Sequence, residues 1–235
     1  RFYTRLPEFV GLCAAYSLRV EFTVFTQTAS LLPDRPAQEA HWRQTLEVLA
    51  PLSCLVEKVN EDDQHDNHTL LEEPWLPEPR VCLISNGSNG ADSLPVRPTL
   101  DYELYHTNDL PEWWRKVGHN AMEWADESGH PCMSNENTRC PDRDSNPLHF
   151  FDAAAGAALL CAGACFHSES GKHSRLFTPP ERVCAKEWVA GFHSVPLEFQ
   201  VGQYRRQDDQ LTPDLLRVYS RTLADGRRHT VQIRR

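Results

Sequence analysis

The sequence predicts a mainly β fold: an antiparallel β-sandwich stapled by disulfides, with one or two short helices and long loops, formed as a single domain over residues 1–235. Three observations lead there. Eight cysteines, an even number spread along the chain, suit a disulfide set in a secreted protein. Short runs of alternating apolar and polar residues recur with turn chemistry between them. The chain closes on "LTPDLLRVYSRTLADGRRHTVQIRR", where Leu215–Thr222 and Arg228–Arg234 flank Ala224-Asp225-Gly226-Arg227. Asp-Gly between alternating runs is a strong short-range signal for a hairpin.

The elements follow in order. Leu18 to Thr26 alternates with period two and reads as a half-buried strand. Leu31 to Ala40 holds Pro33 and Pro36 and reads as a loop; His41 to Leu49 fits helix or strand; Cys54-Leu55-Val56 looks extended. From Glu57 to Glu73 seven carboxylates (Glu57, Glu61, Asp62, Asp63, Asp66, Glu72, Glu73) stand against one lysine, so this stretch reads as a solvated acidic loop or a docking surface for a cationic ligand. Arg80 to Ile84 and Leu100 to Tyr105 return as strands. Asp109 then fits an N-cap, with Pro111 and Glu112 in the first turn of a helix that runs to about Asp126. Ser128 to Pro147 is a turn-rich loop that a Cys132–Cys140 disulfide would tether. In "FFDAAAGAALLCAGACF" alanine favours a helix, but Gly156, Gly163 and the flanking turn residues point to a central strand of small residues from about Ala157 to His167. Ser168 to Lys172 reads as a hairpin loop that returns through Arg175 to Phe177, and Val183 to Ala190 and Leu197 to Arg205 complete the strands.

Composition narrows the function. The formal net charge of −9 argues against nucleic acid and favours a basic partner. No apolar run approaches the ~20 residues that span a bilayer. Arg1-Phe2-Tyr3-Thr4 carries neither an initiator Met nor a signal-peptide pattern, which reads as a mature or trimmed chain. Cys13, Cys54, Cys82, Cys132, Cys140, Cys161, Cys165 and Cys184 are the disulfide candidates; buried thiols in a cytosolic protein are the alternative. The sequons at Asn67 and Asn86 lie in polar segments that read as exposed glycosylation sites.

Several clusters resemble catalytic or metal sites without completing one. Cys161, Cys165, His167 and His173 are all zinc-binding types, but C-x3-C-x-H-x5-H is not a usual zinc spacing. His119 and Glu123 stand four apart on the expected helix, yet the second His of H-E-x-x-H is missing. Cys132 follows Gly129-His130-Pro131, which specifies little about a nucleophile. Together these make a zinc-dependent hydrolase the alternative function. The neighbours Trp113 and Trp114 sit ~100° apart on a helix, so one belongs to a core and the other nearer the surface, where tryptophan is enriched at binding hot spots.

Three stretches, "LRVEFTVFTQT", "HFFDAAAGAALLCAGACFHSES" and "RVCAKEWVAGFHSVPLEFQVGQYRR", resemble the secreted immune-evasion domain of poxviruses, the family of viral chemokine-binding proteins and cytokine decoys. The resemblance implies a β-sandwich that traps a host chemokine or helical cytokine and blocks its receptor without catalysis, cofactor or metal. Glu61, Asp62, Asp63 and Asp66 would steer the ligand, and Trp113 or Trp114 would anchor it. Homodimerisation is left open.

Overall fold

The computed structural model describes residues 2–16, 18–61, 69–71, 75–88, 100–108, 110–159 and 163–195, and the backbone of 205–206, 215–222 and 228–234. The order of elements is α1 (Phe2–Ala15), β1 (Glu21–Phe25), α2 (Thr28–Leu31), α3 (Arg35–Leu49), β2 (Leu55–Val59), β3 (Leu83–Gly87) and β4 (Glu103–His106). It continues through α4 (Trp113–Ser128), β5 (Cys132–Glu136), α5 (Pro147–Leu159), β6 (Gly163–Ala164), α6 (Glu169–Lys172) and α7 (Pro179–Ser194). β7 (Arg205–Arg206), β8 (Leu215–Thr222) and β9 (Arg228–Arg234) close the chain.

This is not an antiparallel sandwich. β1, β2 and β3 pair in parallel in the order β1-β2-β3. The second sheet has the order β4-β5-β6, and β5 and β6 pair in parallel. Only β7-β8-β9 is antiparallel, and the expected hairpin is there, Leu215 opposite Arg234 and Thr222 opposite Arg228. Its Asp225-Gly226 turn lies outside the described residues. Parallel strands need long crossovers: α2 and α3 lie in the one from β1 to β2 and α5 in the one from β5 to β6, while the connection from β2 to β3 has no helix among the described residues. The sequential strand order means that successive connections step the same way, as in singly wound α/β folds.

The chain divides into two compact units: Arg1–His106 with Ala125–Cys132, and Thr107–Trp124 with Met133–Arg235. In the first, α3 begins inside the expected loop. Asp34 caps it by accepting from Ala37 N–H at 2.9 Å, and Pro36 sits in the first turn, where a missing N–H costs nothing. Its buried face carries Gln38, Trp42, Leu46 and Leu49. Trp42, Leu46 and Leu49 join Phe25, Val56, Val59 and Ile84 in the core. Trp42 also donates its ring N–H to the carbonyl of Trp75 at 2.7 Å. β2 is buried at four of its five positions, so its side chains are covered on both faces, as in parallel sheets. Gly87 ends β3 with φ 137°, and a Cβ there would meet the Val59 carbonyl oxygen at 2.1 Å, so only glycine fits.

In the second unit the alanine-rich stretch is the helix α5, not a strand. Its buried face is Phe150, Ala153, Ala154, Ala157 and Ala158. Small residues let α7 come close: a Cβ on Gly191 would lie 2.3 Å from the carbonyl oxygen of Phe151. The expected strand at Val183–Ala190 is likewise helix α7, held at its start by a capping box. Thr178 donates both its N–H and its hydroxyl to Glu181 Oε2 at 2.6 Å. The expected hairpin loop at Ser168–Lys172 is the short helix α6, with Ser168 Oγ accepting from Gly171 N–H at 2.9 Å. An aromatic ladder fills the unit's interior, Trp113 on Phe150 at 5.0 Å, Phe150 on Phe166 at 5.4 Å and Phe166 on Trp188 at 6.2 Å.

Among the described residues there is no disulfide either. The seven described cysteines, Cys13, Cys54, Cys82, Cys132, Cys140, Cys165 and Cys184, are free thiols; Cys161 lies outside the described residues. Cys132 and Cys140 do not clasp a loop. Cys132 opens β5, and the thiol of Cys184 on α7 donates to the Ser145 carbonyl at 3.7 Å. No helix among the described residues is long and apolar enough to cross a membrane.

Candidate functional site

The carboxyl ends of parallel strands are where α/β folds place ligands, because loops and side chains converge there from several strands. In the second unit β5 ends at Glu136. Beyond it the chain continues beside the segment that follows β6: Cys165 N–H donates to Ser134 O at 3.0 Å, and Cys140 N–H to His167 O at 3.0 Å. Asn137 rivets these segments. Fully buried, it accepts from the Thr107 hydroxyl at 2.9 Å and from the Ser134 hydroxyl, and donates its amide to Cys165 O.

That rivet fixes His167. Its Nδ1 lies 2.7 Å from the Asn137 carbonyl oxygen. A carbonyl can only accept, so Nδ1 carries the proton, and the neutral ring presents Nε2 as an acceptor. The Glu136 carboxylate stands 4.0 Å from the same Nδ1, too far for a hydrogen bond. Asn108 donates its side-chain amide to Glu136 Oε1 at 3.3 Å. The side chains of His167 and Glu136 are 18% and 24% exposed, so the pair is partly solvated.

A second pair closes the strands of the first unit. Glu57, read from sequence as the start of a solvated loop, is 1% exposed inside β2. It accepts from Thr23 Oγ1 at 2.6 Å, Ser88 Oγ at 2.6 Å and Ser88 N–H at 3.1 Å. Ser88 Oγ in turn accepts from the N–H of Glu61 at 3.3 Å. Glu61 is therefore no surface steering group: it is 8% exposed, has φ 46°, and holds a carboxylate oxygen 3.3 Å from Nδ1 of His106, whose side chain is 0% exposed.

The other sequence candidates scatter. Asp62, Asp63, Asp66 and Asn67 lie outside the described residues. Asn86 is a residue of β3 with its side-chain oxygen buried, not a loop position. Trp113 is a core residue, 3% exposed, donating its ring N–H to Asp144 at 2.8 Å. Trp114 is half-buried and stacks on His149 at 3.5 Å between ring centroids, the planes 4° apart. Of the zinc-type cluster, Cys165 donates to Asn135 O at 2.6 Å and His173 pairs with Glu169 at 2.7 Å. Among the described residues no group of three ligand atoms includes Cys165, His167 or His173. His119 lies on α4, and the side chain of Glu123 is outside the described set. Cys132 is no nucleophile: burial, reinforced by Glu103, pushes its thiol up to about 12.

Glu136 and Asn108 carried no sequence signal that singled them out. A carboxylate ending a strand in "CMSNENTRC" becomes informative only once 132–136 is known to be a parallel strand. No protein-family model, no curated protein and no solved structure matches this chain.

Proposed function

We propose that this chain is a hydrolytic enzyme that uses His167 as general base with Glu136 as its electrostatic partner. The observation that carries the reading is the tautomer of His167. The Asn137 carbonyl holds the proton on Nδ1, and Nε2 has no hydrogen-bond partner among the described residues at the carboxyl end of a parallel strand. Nε2 takes a proton from water as the oxygen bonds to the substrate's electrophilic centre. The bond to the leaving group breaks, and the imidazolium, stabilised by Glu136 at 4.0 Å, passes its proton to the departing oxygen. This keeps His167 from the expected hydrolase alternative and leaves out the zinc.

Turnover of a nitrophenyl panel (acetate, phosphate and neutral glycosides) tests it. His167→Gln is expected to lower turnover of the accepted substrate by about 10²–10⁴-fold with circular dichroism unchanged. No turnover anywhere in the panel, or equal rates in the variant, overturns the reading.

Ligand sequestration stands as the second proposal. The half-buried ring of Trp114 over His149 supports it as an aromatic contact surface, with the acidic segment steering a basic chemokine or cytokine. The parallel α/β units carry no support over from the β-sandwich decoys. Binding to a chemokine and cytokine panel at two salt concentrations, weakened by Trp114→Ala, is its expected outcome, and no binding ends it.

A further inference from the structure

The net charge of −9 is spread unevenly along the chain. Residues 205–235 hold eight arginines against four aspartates, a surplus of four positive charges that leaves −13 on residues 1–204. A basic segment on an otherwise acidic chain is the electrostatic footprint of a polyanion partner. We infer that the antiparallel sheet β7-β8-β9 docks single-stranded nucleic acid on the face that carries Tyr219. Its strands contain Arg205, Arg206, Arg217, Arg221, Arg228 and Arg234 and no carboxylate. The aspartates of the segment, Asp208, Asp209, Asp214 and Asp225, all fall between the strands.

The register sorts these arginines by face, because opposed residues of an antiparallel pair, and alternate residues of one strand, lie on the same side. β8 is the central strand. On it Tyr219 is opposed by Arg206 of β7 and by Val231 of β9. Arg217 and Arg221 stand two residues to either side of Tyr219 along β8. One face therefore places an aromatic residue at its centre with three arginines around it. The opposite face has Arg205 opposed to Ser220 and Arg228 opposed to Thr222, and no aromatic residue. Among the described residues no helix of the second unit packs closely on this sheet. The aromatic centre is what favours a single strand over other polyanions. An unpaired base offers a π-face for a tyrosine while its phosphates meet arginine, whereas duplex bases are stacked on one another and an acidic peptide has no ring to stack.

Fluorescence anisotropy of a labelled oligothymidylate with the full chain tests this. Three phosphates neutralised by three arginines give a log–log salt slope of about −2, hence roughly 20-fold weaker binding at about 200 mM than at about 50 mM salt. Arg217→Ala combined with Arg221→Ala is expected to bring the slope to about −0.7. Arg205→Ala combined with Arg228→Ala removes the same charge from the opposite face and is expected to leave the slope unchanged. Tyr219→Ala is expected to weaken binding about tenfold at the same slope, and Tyr219→Phe, which keeps the ring, to bind like the wild type. Tyr219→Leu replaces the alanine variant should that not fold. No binding at about 100 μM protein in about 50 mM salt, equal losses from the two arginine pairs, or a phenylalanine variant as weak as the leucine one overturns the inference. Tighter binding of duplex DNA or of polyglutamate than of the single strand overturns it too, by giving the sheet to a different polyanion.

Discussion

Two carboxylate–imidazole pairs end the parallel strands of this chain, one in each unit, and they differ in kind. Glu61 and His106 stand 3.3 Å apart with side-chain exposures of 11% and 0%. Glu136 and His167 stand 4.0 Å apart at 24% and 18%. The first is closed, and a group that no substrate can reach cannot trade protons with one. The second is looser, wetter and held by neutral hydrogen bonds that set its tautomer. Proximity alone would choose the first pair for the proposed chemistry. Access and the assigned position of the proton choose the other.

The sharpest way to break the contrast is to cut both imidazoles. His167→Gln should remove about 10²–10⁴-fold of turnover and shift the urea midpoint little, because the side chain is partly solvated. His106→Ala should do its damage in stability. It opens a cavity and removes the imidazole that faces the buried Glu61 carboxylate, at a cost of roughly 3 kcal/mol in urea unfolding. A loss below about 1 kcal/mol would mean that the closed pair is not a structural one.

Glu181 sharpens the comparison by adding a carboxylate with no imidazole. It is 0% exposed in the second unit, and Ser170 and Thr178 surround it with donors. Burial works against its charge, yet these hydrogen bonds hold its carboxyl down at about 2. A depressed carboxylate contributes stability that is present above its unfolded pKa, near 4.3, and is lost as pH falls toward about 2. The wild type should weaken in urea across that window. Glu181→Gln should flatten this acid limb and cost roughly 2 kcal/mol at neutral pH, since one amide cannot accept from all four donors. An unchanged acid limb in the variant would assign the pH dependence to other carboxylates.

Legibility in the sequence followed the same divide between wet and dry. The hairpin at Leu215–Arg234 could be read because turn chemistry and alternation are local signals. The strand containing Glu21–Phe25 was readable for the same reason; the helix expected after Asp109 is there as α4, but it begins at Trp113, past the Pro111-Glu112 first turn that the sequence suggested, and Glu112 has φ 52°. β2 hid because both its faces are covered: Glu57 and Lys58 are polar, buried and satisfied, Lys58 by the Leu71 carbonyl at 2.8 Å, so they looked like the start of an acidic loop. α5 and α7 hid because the small residues that let them approach, Gly191 and Ala154 among them, weaken local helix signals or leave them ambiguous, and tertiary packing then decides. Cysteine number suggested disulfides, but thiols such as Cys54 at 4% exposure and Cys184 at 0% behave as small core residues. His167 was visible as a reactive residue type, whereas its partner Glu136 depended on which strand end it occupied.

The smallest expected effect isolates the backbone of the closed pair. Glu61 has φ 46°, a left-handed conformation in which a Cβ crowds the following carbonyl at a cost of roughly 1–2 kcal/mol. Glu61→Ala and Glu61→Gly both delete the carboxylate that faces His106, so their difference cancels the side chain and leaves the conformation. If the strain is real, the glycine variant unfolds at higher urea, by about 1 kcal/mol, even though glycine ordinarily costs more unfolded-state entropy than alanine. Alanine at least as stable as glycine would mean that position 61 relaxes out of the left-handed region once its carboxylate is gone. The Glu61–His106 contact, rather than the chain around it, would then be what holds that turn.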